Sequence, residues 1–267
     1  MTTEAGWSNP VKARLGRGEA VLGVTITTPS LDLAARAAAL GFDFLWIEME
    51  HSPITLETLR HIVLATRGLP ALPFARVPVN ELWTAKRALD AGVHGVIFPF
   101  TSRPELAQQA ALACRYPPRG LRGSGAGLAT ASWPDPDRYC ESADENVMVV
   151  AIIEEAAALA HVDAIASTPG IDVLFIGTSD LSFSMGHRGR QDRPDVQAAV
   201  ETILQAALRH GKVAGRPVRT PDQVRAAMAQ GFRLFQLSSD LQIFGLGARE
   251  LLEPLGRYAG RDGQAQY

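Results

Sequence analysis

The chain has 267 residues, 46% of them hydrophobic, with 26 Lys and Arg against 28 Asp and Glu and a formal charge of −2. That length fits one α/β barrel or two small domains, and the lack of a basic stripe excludes nucleic acid as an expected partner. No apolar stretch approaches the roughly 18 residues that cross a bilayer, and residues 1–7 lack a positive start followed by an apolar core, so the expectation is a cytoplasmic protein with no membrane contact. Two cysteines, Cys114 and Cys140, make neither a disulfide framework nor a zinc motif.

In chain order, residues 20–26 (AVLGVTI) read as a strand and 29–40 as an alanine-rich helix opened by Ser30. A second strand covers 43–49 (DFLWIEM), and its helix covers 55–67. The third strand is 72–77 (LPFARV), followed by a helix over about 80–91. Strand four is 95–99 with helix 103–114. Strand five is 147–153 with helix 155–167, and strand six is 172–177 with helix 195–210. A short seventh strand over 212–215 precedes a helix over 221–230. An eighth strand over 232–237 precedes a last helix over 241–255. The runs are short, apolar and not alternating, as parallel strands buried on both faces are. Gly41, Gly92, Gly170, Gly211 and Gly231 follow helices, where a C′ glycine belongs.

Eight such units predict a single (β/α)8 TIM barrel over 1–267, with an ordered core of about 9–257 and a polar tail over 258–267 that frays most over 261–267. An open doubly wound sheet is the competing architecture, but no Gly-x-Gly-x-x-Gly follows the first strand and no lysine-bearing P-loop occurs. The one long irregular stretch, 115–146, is expected to form a lid or subunit contact with short helices. Substrate specificity is expected in the strand-end loops, including 115–125 and the region after Pro217.

Reactive side chains gather at strand ends, where barrel enzymes keep their active sites. Glu50 and His51 follow strand two, Arg76 ends strand three, Glu154 follows strand five and Asp180 follows strand six. Two carboxylates plus water suit Mg²⁺ or Mn²⁺, and Co²⁺ or Zn²⁺ also fit. A cation there could bind both oxygens of a 2-keto acid and stabilise an enolate. Arg76 offers a cationic fork to the same oxyanion, and His51 suits proton transfer near neutral pH. Each residue also has a purely structural reading. Glu154 could sit at the start of the next helix, Asp180 in a turn, Arg76 in a surface ion pair and His51 in a loop. Their coincidence at one barrel end favours catalysis. Glu50 points away from His51 if the strand continues that far, and it receives no role.

At these residues the sequence resembles the HpcH/HpaI aldolases, the metal-dependent class II pyruvate aldolases. The motifs are Asn9-Pro10-Val11-Lys12, Asp43-Phe44-Leu45-Trp46-Ile47-Glu48-Met49-Glu50-His51, Ala75-Arg76-Val77-Pro78, Arg115-Tyr116-Pro117-Pro118-Arg119-Gly120-Leu121-Arg122-Gly123 and Phe175-Ile176-Gly177-Thr178-Ser179-Asp180. The resemblance runs from about 9 to 252. It implies a barrel of the phosphoenolpyruvate/pyruvate type whose last helix is exchanged between subunits, commonly in a homohexamer. It implies cleavage of a 4-hydroxy-2-keto acid to pyruvate, or an analogue such as hydroxypyruvate, plus an aldehyde, as in aromatic or sugar-acid catabolism. His51 matches the proton acceptor, Arg76 the enolate-stabilising residue and Asp90 an aspartate that raises the basicity of that histidine. Glu154 and Asp180 match the metal ligands, and Ser179 a backbone N–H donor to the keto-acid carboxylate. Three positions depart from the family: Ile152 replaces a substrate-contacting glutamine, Glu155 a threonine, and Thr178-Ser179 a Pro-Ala pair. The alternatives are a citrate- or malyl-CoA-type acyl-CoA lyase and a non-catalytic barrel subunit.

Overall fold

The computed structural model describes residues 7–260; the tail expected over 261–267 lies outside the described residues, as do residues 1–6. The chain begins with a helix that the sequence reading did not include, α1 (Pro10–Gly16). Asn9 caps it, accepting from the backbone N–H groups of Val11 and Lys12, with Pro10 in the first turn, the placement that suits a residue without an N–H. Then follow β1 (Val21–Ile26), α2 (Leu31–Ala38), β2 (Phe44–Glu48), α3 (Leu56–Ala65), β3 (Leu72–Arg76), α4 (Leu82–Asp90), β4 (Gly95–Phe98) and α5 (Pro104–Ala113). Two short helices, α6 (Gly127–Thr130) and α7 (Tyr139–Asn146), lead to β5 (Met148–Ile153). A 3₁₀ turn (Ala156–His161) and α8 (Val162–Ala166) replace the continuous helix expected over 155–167. The rest is β6 (Val173–Ile176), α9 (Thr178–Ser184), α10 (Pro194–Arg209), β7 (Val213–Pro217), α11 (Pro221–Gln230), β8 (Leu234–Ser239), α12 (Asp240–Leu252) and a final 3₁₀ turn (Glu253–Leu255).

The eight strands pair in parallel in sequence order, and β8 closes onto β1. This is the expected (β/α)8 barrel. Its inner wall is filled by side chains of one parity: Phe44 and Trp46 from β2, Phe74 from β3, Ile97 from β4, Met148, Val150 and Ile152 from β5, Phe175 from β6. The Phe44 and Phe74 rings stack with centroids 5.1 Å apart. Glycines make room for them, since a Cβ on Gly23 would lie 2.2 Å from the Phe44 ring. Burying each such aromatic contributes about 1.5–3 kcal/mol. Val11 and Leu15 of α1 join this inner core, so the added helix plugs the N-terminal end of the barrel. Gly231 ends α11 at φ 115°, a conformation that a residue with a Cβ resists.

The segment 115–146 is not a lid. It connects a helix to the next strand, which places it at the N-terminal end of the strands, away from the catalytic face of a barrel. Arg122 pairs there with Asp90 at 3.2 Å, and Tyr116 N donates to Asp144 Oδ1 at 2.9 Å. The last helix is equally unusual. A capping box of Ser239 and Gln242 starts α12, yet Asp240 is its one buried residue. Phe244 is 76% exposed and Leu251 73%. Among the described residues no helix is long and apolar enough to cross a membrane.

Candidate active site

The inward rows of the inner strands run straight into the site. Side chains alternate along a strand, so Phe44 and Trp46 are followed on the same side by Glu48, the last residue of β2. Phe74 is followed by Arg76, and Val150 and Ile152 are followed by Glu154. These ends surround the mouth of a cavity of about 1030 Å³. His51, Arg76, Ile152, Glu154, Ser179 and Asp180, all named from the sequence, line it.

Arg76 is the hub. Its Nη1 lies 3.4 Å from Glu48 Oε2 and its Nη2 lies 3.7 Å from Glu154 Oε2. Nη2 also forms an ion pair with Glu50 Oε2, in a geometry that is not a hydrogen bond. Nε is buried without a hydrogen-bond or ion-pair partner, so a donor remains for an oxyanion. Glu48 is buried and organises the loop after β2. It accepts from Trp46 Nε1 at 3.2 Å, Glu50 N at 2.8 Å and His51 N at 3.1 Å. His51 Nε2 lies 3.7 Å from Glu50 Oε2.

Glu154 is buried, and its Oε1 accepts from Phe100 N at 2.8 Å. Burial pushes its carboxyl up to about 7, while Arg76 and the Phe100 N–H oppose the rise and Asp180 and Glu50 add to it. Glu50 is likewise pushed up to about 7, chiefly by burial, with Arg76 opposing and Glu48 and Asp180 reinforcing. Glu48, Glu50 and Glu154 thus crowd around a single guanidinium, and Asp180 is near enough to act on both Glu50 and Glu154. That excess of buried negative charge fits a divalent cation, which would supply the missing counter-charge. Glu154 and Asp180, which both line the cavity, could hold it. Among the described residues no three His, Cys, Asp or Glu side chains form a metal-binding cluster, so further coordination would fall to water and substrate, as Mg²⁺ accepts. Gly177 is required beside them, because a Cβ there would lie 2.7 Å from Glu154 Oε2.

The structure places Asp90 elsewhere. As the last residue of α4, it sits at the opposite end of the barrel from His51 of the same chain, against Arg122. The segment 115–125 also contributes nothing to the cavity lining, whereas the region after β7 does. Sequence reasoning named Glu50 without a role and passed over Glu48, although the even spacing of Glu48 from Trp46 was the available signal. Arg216 and Arg219 also line the cavity; Arg216 was hidden because β7 runs two residues further than expected. Asp180 lies in the first turn of α9, a helix the sequence reading did not include.

The geometry agrees with the similarity to known proteins. A profile of the HpcH/HpaI aldolase/citrate lyase family matches residues 24–245. The chain is 35% identical over 245 residues to a hydroxypyruvate/pyruvate aldolase of Cupriavidus necator, covering 91% of both chains. It is 36% identical over 229 residues to a 5-keto-4-deoxy-D-glucarate aldolase of Salmonella arizonae, covering 85% of this chain and 87% of the relative. A crystal structure of an HpcH/HpaI aldolase/citrate lyase family protein from Burkholderia cenocepacia superposes with a TM-score of 0.86 at 32% identity, over 93% of this chain and 100% of the other. An acidic, arginine-centred mouth on a closed parallel barrel, together with a family match across most of its length, assigns this chain to the HpcH/HpaI aldolase/citrate lyase family.

Proposed function

We propose that this carbon–carbon lyase is a metal-dependent class II aldolase that cleaves 4-hydroxy-2-keto acids to pyruvate, or a close analogue such as hydroxypyruvate, and an aldehyde, and also runs the addition. The observation that carries the reading is the crowding of Glu154, Glu48 and Glu50 around Arg76 at the cavity mouth, with Asp180 acting on Glu154. Relatives named as hydroxypyruvate/pyruvate and keto-deoxy-glucarate aldolases support it.

Glu154 and Asp180 would hold a divalent ion, which would supply Lewis-acid stabilisation of negative charge on the substrate. Arg76, through its unsatisfied Nε, holds the C2 oxygen as the C3–C4 bond breaks and its electron pair moves towards the carbonyl. His51 accepts the proton of the 4-hydroxyl, directly or through water, as that carbon becomes the aldehyde, and a proton returned to C3 by the same route completes pyruvate. The Ser179 backbone N–H orients the keto-acid carboxylate from the start of α9, and Ile152 forms an apolar floor below it. Arg216 and Arg219, which line the cavity, bias it towards an acid-bearing aldehyde. The basicity role that the resemblance implies for Asp90 could act only on the histidine of a neighbouring subunit. The exposed apolar face of α12 favours exchange of that helix between subunits, in a homohexamer or another closed oligomer. A cytoplasmic location belongs to the same reading.

The test is pyruvate release from a panel of 4-hydroxy-2-keto acids, with EDTA and then with Mn²⁺ added back. Loss with EDTA and recovery with Mn²⁺ is the expected result. Release indifferent to EDTA would overturn the metal-enolate mechanism. No release from any substrate by the metal-loaded protein would shift the assignment towards an acyl-CoA lyase or a non-catalytic barrel.

A further inference from the structure

We propose that the turn after β4 is a positioning device for Glu154, in which Phe100 is held in the left-handed backbone region so that its N–H meets that carboxylate. Phe100 has φ 48° and is one of two non-glycine residues with positive φ among the described residues. Glycine adopts this conformation freely, and a bulky side chain resists it. Burial of the ring does not account for it, because Phe100 is 42% exposed. What the conformation achieves is the hydrogen bond from Phe100 N to Glu154 Oε1 at 2.8 Å. No other hydrogen bond reaches that carboxylate among the described residues.

Strained backbone of this kind persists where its surroundings over-determine it, and here they do. Thr101 N donates to Ile152 O at 3.0 Å. Ser102 Oγ hydrogen-bonds the Glu155 carboxylate. Asn80 Nδ2 donates to Thr101 Oγ1 at 3.3 Å and to Leu106 O at 3.2 Å. The turn is therefore laced to residues on both sides of Glu154, and the family departure at Glu155 acquires a purpose as the anchor of Ser102. With Oε1 engaged by the backbone, Oε2 is the oxygen turned towards Arg76, at 3.7 Å, and left for a cation. Phe100 is thus a positioning residue that acts through its main chain, and the inference rests on the metal site proposed above.

The experiment is Mn²⁺ binding by calorimetry to the purified full-length protein and its variants, with thermal melts alongside. Outer contacts to metal ligands change affinity by about 10–100-fold. Phe100→Val, β-branched and least able to hold the left-handed region, is expected to bind Mn²⁺ about tenfold or more weakly. Phe100→Gly and Phe100→Asn, which tolerate that region, are expected to stay within about twofold of the parent. If the valine variant does not fold, Phe100→Ala replaces it, with affinity expected to fall measurably below that of Phe100→Gly. Wild-type affinity in the valine variant would overturn the inference. So would equality of the alanine and glycine variants, or a glycine variant as weak as valine, since the ring rather than the backbone would then matter. Glu154→Gln separates the two levels of the argument: if it binds Mn²⁺ as tightly as the parent, the metal site itself is wrong.

Discussion

Two arginine–carboxylate clusters lie at opposite ends of this barrel, and they differ in access and in balance. At the mouth, Arg76 faces Glu48, Glu50 and Glu154 beside an open cavity, with more negative charge than one guanidinium can neutralise. At the N-terminal end, Arg122 is 1% exposed and sealed between two tyrosines, with its carbon Cζ 4.6 Å from the Tyr116 ring and 5.4 Å from the Tyr139 ring. Its Nη2 donates to Tyr139 OH at 2.7 Å and to Asp90 at 3.2 Å. The same residue types border an open cavity in one place and anchor the chain in the other. The difference lies in charge and access: the Arg76 cluster carries uncompensated negative charge next to a void, whereas Arg122 meets one carboxylate in a closed setting, with its Nε and Nη1 buried without hydrogen-bond partners.

The sharpest way to break this contrast is at the mouth. Glu154→Gln and Asp180→Ala are each expected to lower metal-dependent kcat by about 10³-fold or more, as loss of a principal electrostatic contributor does, with an unchanged thermal midpoint. Steady-state kinetics at saturating Mn²⁺ and a melt check both halves, and an active variant would remove that residue from the metal site. The reciprocal change at the sealed end is Arg122→Met. It is expected to cost about 2–3 kcal/mol in urea unfolding, somewhat below the ~3–5 typical of a broken fully buried pair because Asp90 keeps partial exposure. Turnover per folded molecule should not change. A large loss of kcat in still-folded protein would make the Asp90–Arg122 cluster part of the catalytic machinery.

His94 gives a pH signature to the same sealed end. It stacks on Trp133 at 4.5 Å and meets Trp7 edge-on at 5.3 Å, and burial pulls its pKa down from 6.5 to about 3. The folded state therefore keeps the ring neutral while the unfolded chain protonates it near 6.5. Stability is complete above that pH and falls by about 1.4 kcal/mol per unit as pH drops from 6.5 towards 3. Comparing urea midpoints across that range for the parent and His94→Phe should show a flatter acid limb in the variant. An identical slope would refute the assignment. The smallest expected effect returns to the cavity: Arg219→Ala should raise KM for an acid-bearing aldehyde in the addition reaction by less than about tenfold, as for one solvent-exposed charge contact, and leave a neutral aldehyde unaffected. Equal effects on both aldehydes would exclude anion recognition there.

Much of this could be read before the fold was seen. Short apolar runs separated by helical segments have one compact solution when there are eight of them, and strand-end residues in such a barrel converge. That is why His51, Arg76, Glu154 and Asp180 could be placed together. Parity along β2 would have added Glu48, had it been followed past Trp46. What remained out of reach depends on contacts between distant segments. Asp90 reads like a helix-end acid anywhere in the chain, and its partner Arg122 lies 32 residues away. Phe100 looks like an ordinary loop aromatic, and its φ of 48° follows from hydrogen bonds to the next strand. Local pattern determined the number and order of the strands, because short apolar runs separated by helical segments are written residue by residue. Tertiary structure decided which charged groups share a void and which backbone is strained, because both depend on the mutual placement of segments far apart in sequence.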